Sequence, residues 1–189
     1  MRILYFLAAI SISAYGQDVS GAEQNLQERN QKSKLEQFKA ETGVVIIMGS
    51  SAVGSIKPQL GNDVVSVETR EFINAATGSK EYGVFIQFND YDNRSIGSSY
   101  IDFDEIESLI KGIEYITNVK EDVTKLKKFQ AEYKTQSGFK VFSFGSTAKR
   151  ESALEVRNGK HEFLDAVGLA KFKELLQAAQ TTLQAGKTQ

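Results

Sequence analysis

The sequence predicts an α+β protein built from two four-stranded antiparallel β halves, each followed by an α-helix, with a short helix ahead of them. Three observations carry that reading. Runs rich in β-branched and aromatic residues are separated by Gly-, Asn- and Asp-rich turns. Two apolar stripes of helical spacing, Ile106 to Ile116 and Leu169 to Leu183, each follow the fourth such run. The two strand-to-helix junctions also superpose with an offset of 63 and no gap, placing Tyr100 on Phe163, Asp102 on Asp165, Ile106 on Leu169 and Ile113 on Leu176.

The chain opens on MRILYFLAAISISAYGQ: one positive charge at Arg2, an apolar run to about Ala14, and a small-x-small pattern at Ala14 to Gly16. That is the layout of a secretory signal peptide, predicted over residues 1–16. The run is shorter than the ~20 apolar residues of a membrane-spanning helix, so no span is expected after cleavage. Residues 17–32 are rich in Gln, Asn, Glu and Ser and read as a flexible polar leader. Residues 33–189 then form a single α+β domain with pseudo-repeats at about 44–117 and 128–184. The expected location is the periplasm or the outside of the cell.

Ser33 and Glu36 have capping-box spacing, and Gly43 is placed to end the short helix they open. VVIIM (Val44 to Met48) is a continuous apolar run, as expected for a strand buried on both faces, and it continues toward Ile56. Pro58 and Gly61-Asn62-Asp63 turn the chain. VVSVETREFI is the second strand, Tyr82 to Phe88 alternates as the third, and Ile96 to Phe103 is the fourth. Thr117 to Lys127 is a short charged connection. In the second half, Phe129, Ala131 and Tyr133 alternate against Lys128, Gln130, Glu132 and Lys134, a strand with one wet face. FKVFSFG and SALEVR follow, then the Asn158-Gly159 hairpin turn and KHEFL. The last helix carries Leu169, Phe172, Leu176, Ala179 and Leu183 on one face.

Composition narrows the chemistry. Of 189 residues, 41% are hydrophobic, enough for a sizeable core, and the formal net charge of -1 supplies no strong field toward nucleic acid or anionic membrane. With no Cys, disulfides, thiolate metal sites and cysteine nucleophiles are excluded. Gly49 to Gly54 has the glycine spacing of a phosphate loop, but Ser55-Ile56 stands where Lys and Ser or Thr are needed. Asp90-Tyr91-Asp92-Asn93 hints at a calcium loop, but Ser95 and Ile101 occupy the positions of its Gly and Glu, so a solvated turn is expected. His161, the single histidine, follows a hairpin turn and is expected to be exposed. No G-x-S-x-G elbow is present, and Trp, the commonest sugar-stacking residue, is absent. Lys125 to Phe144 interleaves basic and aromatic residues as single-strand-binding platforms do, yet Phe129 and Tyr133 share the face opposite Lys128 and Lys134 and should point into a core. No catalytic, cofactor-binding or metal-ligating residue is assigned.

The densest chemical feature is SSYIDFDEIESLIKGIEYI, with Asp102, Asp104, Glu105 and Glu107 within six positions. It could hold a metal, act as an acid/base pair or start a helix. The last is favoured: Asp104 as N-cap with Glu107 at the third helical position, and Asp102, like Asp165, fixing the strand-to-helix turn. The twofold order of four strands and a helix, with SSYIDFDEIESLI and KHEFLDAVGLAKF as its junctions, resembles the whirly-type single-stranded nucleic-acid-binding fold. That likeness implies architecture, because the closely spaced basic run of that family is missing from the strands. YIDFDEIESLIKGIEYI also resembles a family of exported bacterial proteins of unknown function. The functional expectation is a non-enzymatic exported binding or structural module, its partner an envelope protein or a second copy of itself. The alternatives are a carboxylate-dependent hydrolase of an envelope polymer and a single-stranded nucleic-acid binder.

Overall fold

A computed structural model describes residues 32–60, 62–146 and 149–187, all within one compact unit, Gln31–Gln189. The predicted signal peptide and, apart from Lys32, the polar leader lie outside the described residues.

Helix α1 (Lys34–Lys39) opens on the expected capping box: Glu36 N–H donates to Ser33 Oγ at 3.1 Å, and Ser33 N–H donates to Glu36 Oε2 at 2.8 Å. The helix ends at Ala40, three residues before Gly43. That glycine (φ 78) supplies the left-handed turn into the first strand instead. Strands β1 (Ile46–Ile56), β2 (Val64–Asn74), β3 (Lys80–Asn89) and β4 (Ser95–Asp102) form an antiparallel sheet in the order β1-β2-β3-β4. Helix α2 (Phe103–Asn118) follows, then a 3-10 turn (Glu121–Val123). Strands β5 (Phe129–Lys134), β6 (Lys140–Ser146), β7 (Lys149–Glu155) and β8 (His161–Leu164) repeat the meander as a second sheet, and α3 (Ala166–Lys187) closes the chain. The predicted α+β architecture of two four-stranded halves, each followed by a helix, is therefore present.

One expectation is overturned. The apolar run VVIIM does not build a strand buried on both faces. β1 is the edge strand of the first sheet, paired only with β2, and Val45 (68%), Ile47 (51%) and Met48 (50%) are exposed. The strand also runs unbroken through Gly49 and Gly54, with a bulge between Ala52 and Gly54.

Strand alternation gives each sheet an inner face. In the first sheet the rows Val65–Phe88, Val67–Ile86 and Thr69–Val84–Ile101 point one way and are buried. In the second, Phe139, Val141 and Leu154 do the same. Helix α2 packs on β3 and β4 of its own sheet and on β5 and β6 of the other, and α3 packs on β1, β2 and β3 as well as on β8. The two helices also touch, and one hydrophobic core draws residues from both sheets and both helices. Two glycines set the closeness of this packing. A Cβ on Gly112 of α2 would fall 2.5 Å from the Tyr133 ring on β5, and one on Gly54 would fall 2.7 Å from Leu175 on α3. Ala131 and Tyr133 pack against the core, as the alternation predicts, and Phe129 on the same face is half-buried.

Candidate functional site

The acidic junction is resolved by where each carboxylate goes. Helices α2 and α3 begin at Phe103 and Ala166, again 63 residues apart, so Asp102 and Asp165 occupy equivalent N-cap positions. Asp165 caps its own helix, accepting from Gly168 N–H at 2.7 Å. Asp102 makes no side-chain cap on α2. Its carboxylate points to the opposite face of the sheet and receives the first two N–H groups of α1: Lys34 N–H donates to Oδ2 at 2.7 Å and Leu35 N–H to Oδ1 at 3.1 Å. Only 1% of Asp102 is exposed. Burial pushes its carboxyl above the ordinary carboxylate value, and the two N–H donors oppose that shift.

The other acids divide up. The expected N-cap role of Asp104 is not what the structure shows, because the helix begins earlier and Asp104 lies in its first turn, on the surface, paired with the Lys34 ammonium. Glu107 is not a capping partner either; it is exposed and pairs with Lys111 at 2.6 Å, one turn along. Glu105 accepts from Gln136 N–H at 2.7 Å and so ties α2 to the turn after β5. Burial raises its carboxyl as well. These acids form a docking joint for α1 and for the second half. They do not converge on one another across an open cleft.

Around that joint, Leu35 is fully buried, and its methyl occupies the place a Cβ on Gly83 would need, 2.3 Å away. Glu36 reaches the second half, pairing with Arg157 at 2.7 Å, and Arg157 Nε donates to Ser137 O at 2.7 Å. Helix α1 thus covers the outer face of the first sheet, over Phe72 and Tyr100, whose rings lie 6.1 Å apart. A cleft of about 440 Å³ opens beside it, lined by Glu36, Arg157, Asn158 and the serines of β4.

Three features were not found by sequence reasoning. Asp63 and Glu162, nearly a hundred positions apart, flank Lys160, whose ammonium lies 3.5 and 3.3 Å from them. Glu162 is 5% exposed, and burial raises its carboxyl. The outer face of the second sheet carries a half-buried aromatic row: Phe142 and Phe144 stack at 5.9 Å, Phe144 meets Phe163 at 6.3 Å, and His161 stands edge-on to Phe163 at 5.2 Å. The alternation of FKVFSFG contained that row, since Val141 and Ser143 are buried and Phe142 and Phe144 must face away from them. His161 is exposed, as expected after its turn.

The third feature is the free edge of β1. Sheet edges invite pairing with other chains and are ordinarily shielded by charge, shortness or cover. The edge of β4 meets Asn158, whose Nδ2 donates to Ile96 O at 3.3 Å, and Ser137, whose Oγ donates to Tyr100 O at 2.5 Å. The edge of β8 is four residues long and receives Gln59 N–H on Phe163 O at 2.8 Å. The edge of β5 presents Glu132 and Lys134. β1 is eleven residues long and carries no charge. Among the described residues, nothing pairs with its free side. A cleft of about 500 Å³ lies over the face of this sheet, lined by Gly49 to Ser51 of β1, Thr69 to Glu71 of β2, Tyr82 of β3 and the end of α3.

Among the described residues no cluster of three or more His, Cys, Asp or Glu side chains is placed to hold a metal. No helix there is long and apolar enough to cross a membrane. Comparison with known proteins returns no matching family model, no matching curated protein and no matching solved structure.

Proposed function

We propose that this chain is a non-enzymatic binding or structural module, exported to the periplasm or beyond, that engages a protein partner along the free edge of β1. The observation that supports it is a long, uncharged strand edge with Val45, Ile47 and Met48 open to solvent, in a fold whose other three sheet edges are shielded. Strand addition at such an edge draws affinity from main-chain hydrogen bonds and specificity from alternate side chains. The carboxylates that first suggested hydrolysis favour this reading too, because Asp102 holds α1 and Asp104 holds Lys34. Export is supported by the signal-like pattern of residues 1–16.

The test is site-specific photo-crosslinking in cells that express the full chain. A benzophenone side chain at exposed Ser50 should give a discrete protein adduct, and Ile47→Lys should abolish it. The same label at Asn93, in an exposed turn, should give none. Absence of any adduct from Ser50, with itself or another protein, removes the reading. Export is tested by sequencing the N-terminus of the accumulated protein, which should begin at Gln17; a chain retaining Met1 in the cytoplasm contradicts it.

A further inference from the structure

We propose that the loop between α2 and β5, Val119 to Phe129, docks on an anionic lipid surface. Leu126 and Val123 enter the headgroup region, and Lys125, Lys127 and Lys128 meet the lipid phosphates. This surface shares no residue with the β1 edge, and neither reading depends on the other.

The net charge of -1 conceals a local imbalance. From Val123 to Ala131 the chain carries three lysines and no acid. All three are exposed, and none forms an ion pair among the described residues. Glu121 and Asp122 belong to the 3-10 turn before them, with exposed Lys120 on its other side, so the positive charge collects at the tip. Leu126, set between Lys125 and Lys127, is 76% exposed, and Val123 is 53% exposed. Val123 lines a cleft of about 380 Å³ between α2 and β5, together with Tyr115, Ile116 and Phe129. Tyr115 is exposed as well. Three exposed large apolar side chains thus gather around one loop, whereas Leu60, Tyr91 and Val167 stand singly.

The loop is fastened at both ends, and its middle is presented to solvent. Val119 is buried, and Arg150 donates to Thr117 O at 3.3 Å and to Val119 O at 2.6 Å. The same guanidinium lies over the Phe129 ring at 5.2 Å. Leu126 N–H donates to Thr124 Oγ1 at 3.2 Å, a local turn that leaves the leucine side chain outside. The side-chain types then select the partner. Lysine is depleted in the cores of protein interfaces, so a leucine walled by lysines makes a poor protein anchor. Single-strand platforms stack bases on rings, but Val123 and Leu126 are aliphatic, Phe129 lies under Arg150, and Tyr133 packs against Gly112. A lipid interface suits the set. Apolar side chains enter the acyl boundary, while flexible lysine stems keep their ammonium groups among the headgroups.

The experiment uses the chain from Gln17 onward, because the apolar run of Ile3 to Ala14 would enter vesicles by itself and Gln31–Gln189 is a compact unit of its own. Vesicles of equal parts phosphatidylglycerol and phosphatidylcholine should carry the protein down on sedimentation. Phosphatidylcholine alone should not, and added salt should release the protein. Lys125→Gln combined with Lys127→Gln should weaken binding about 25-fold, at about fivefold per lysine. Leu126→Gln should weaken it about tenfold. Because the chain has no Trp, Leu126→Trp reports insertion. Its fluorescence should shift to the blue on the anionic vesicles, and that of Tyr91→Trp, in the exposed β3–β4 turn, should not. Every substituted position is exposed, and circular dichroism checks that each variant folds. No sedimentation with the anionic vesicles at low salt overturns the proposal, as does an equal blue shift at positions 91 and 126. Binding that Leu126→Gln leaves unchanged and that a single-stranded oligonucleotide displaces makes the loop a nucleic-acid contact instead, and overturns the lipid assignment.

Discussion

Replacing Asp102 by Ala separates two roles for one repeated position within this chain, since Asp102 and Asp165 both precede the first residue of a helix. At Asp165 the side chain accepts one N–H from an exposed helix start, so Asp165→Ala should cost about 1 kcal/mol. At Asp102 the carboxylate accepts two N–H groups, one of them buried. Hydrogen bonds to a charged group are worth about 1.5–3 kcal/mol each, and an orphaned buried N–H costs about 1–3 kcal/mol. Burial, which disfavours the carboxylate, offsets part of that sum. The expected loss is about 3 kcal/mol. It has a ceiling: once it exceeds what docking α1 contributes, α1 detaches and the rest of the domain stays folded. Burying Leu35 sets that contribution at about 2–3 kcal/mol beyond the Asp102 bonds. Two readouts follow. Thermal denaturation should fall by about 6–12 °C for Asp102→Ala and about 2–4 °C for Asp165→Ala in a domain of this size. Hydrogen exchange should show the amides of Lys34–Lys39 losing protection in Asp102→Ala, with β3 still protected. Equal losses for the two substitutions, or α1 amides unchanged, would refute the assignment and return Asp102 to an ordinary helix start.

Further expectations follow from the same geometry. Asp104→Ala removes only a surface ion pair and should cost less than about 1 kcal/mol, measured by urea denaturation. Gly83→Ala would set a Cβ 2.2 Å from the carbonyl of Ile101 and 2.3 Å from Leu35, so it should destabilise by about 1–3 kcal/mol or more and loosen α1 as Asp102→Ala does. Gly112→Ala should also destabilise, although Ala is the better helix former by up to about 1 kcal/mol, because its methyl meets the Tyr133 ring; in a Tyr133→Ser background, where only the Cβ contact remains, the penalty should shrink. Asp102, Glu105 and Glu162 all have carboxyls raised by burial, so the folded state holds their protons more tightly than the unfolded chain does. Their contribution to stability therefore falls as pH rises from the ordinary carboxylate value, about 4, through the raised folded values. The melting temperature should be higher in mild acid than at neutral pH, and Glu162→Gln should flatten that slope; a slope of the opposite sign contradicts the shifts.

What could be read from the sequence was local or periodic. The capping box of α1 lies within four residues, the apolar stripes of α2 and α3 repeat every three or four, and the strand of Phe129, Ala131 and Tyr133 alternates cleanly, so each declared itself. The junction offset of 63 was legible for the same reason and reappears in the two helix starts. The failures share another cause. VVIIM has the same letters whether a strand is central or at an edge, and strand order is a property of the whole sheet. Asp102 finds its N–H donors 67 and 68 positions earlier, and a pattern of nearby residues has no access to such a partner. The acidic spacing therefore suggested a cap at Asp104, whose side chain reaches Lys34 instead. The ring row of Phe142, Phe144 and Phe163 alternates visibly, but alternation assigns residues to two faces without saying which face is covered.

The two halves share a plan, and their differences bear on function more than their likeness does. Each sheet has an aromatic outer face. In the first half α1 lies across that face, and the aspartate that would have capped the following helix holds α1 in place. In the second half the equivalent aspartate stays at its own helix, and among the described residues no helix lies over the outer rings. The edges diverge in parallel. Side chains and loops from one half guard β4 and β8 of the other, so mutual docking of the halves removes two of four edges from solution, and charge guards β5. Among the described residues β1 receives neither treatment. An uncharged strand of eleven residues is the most hazardous edge a soluble sheet can leave open. That the described residues shield three edges and leave this one open is accounted for if β1 is covered in the working assembly.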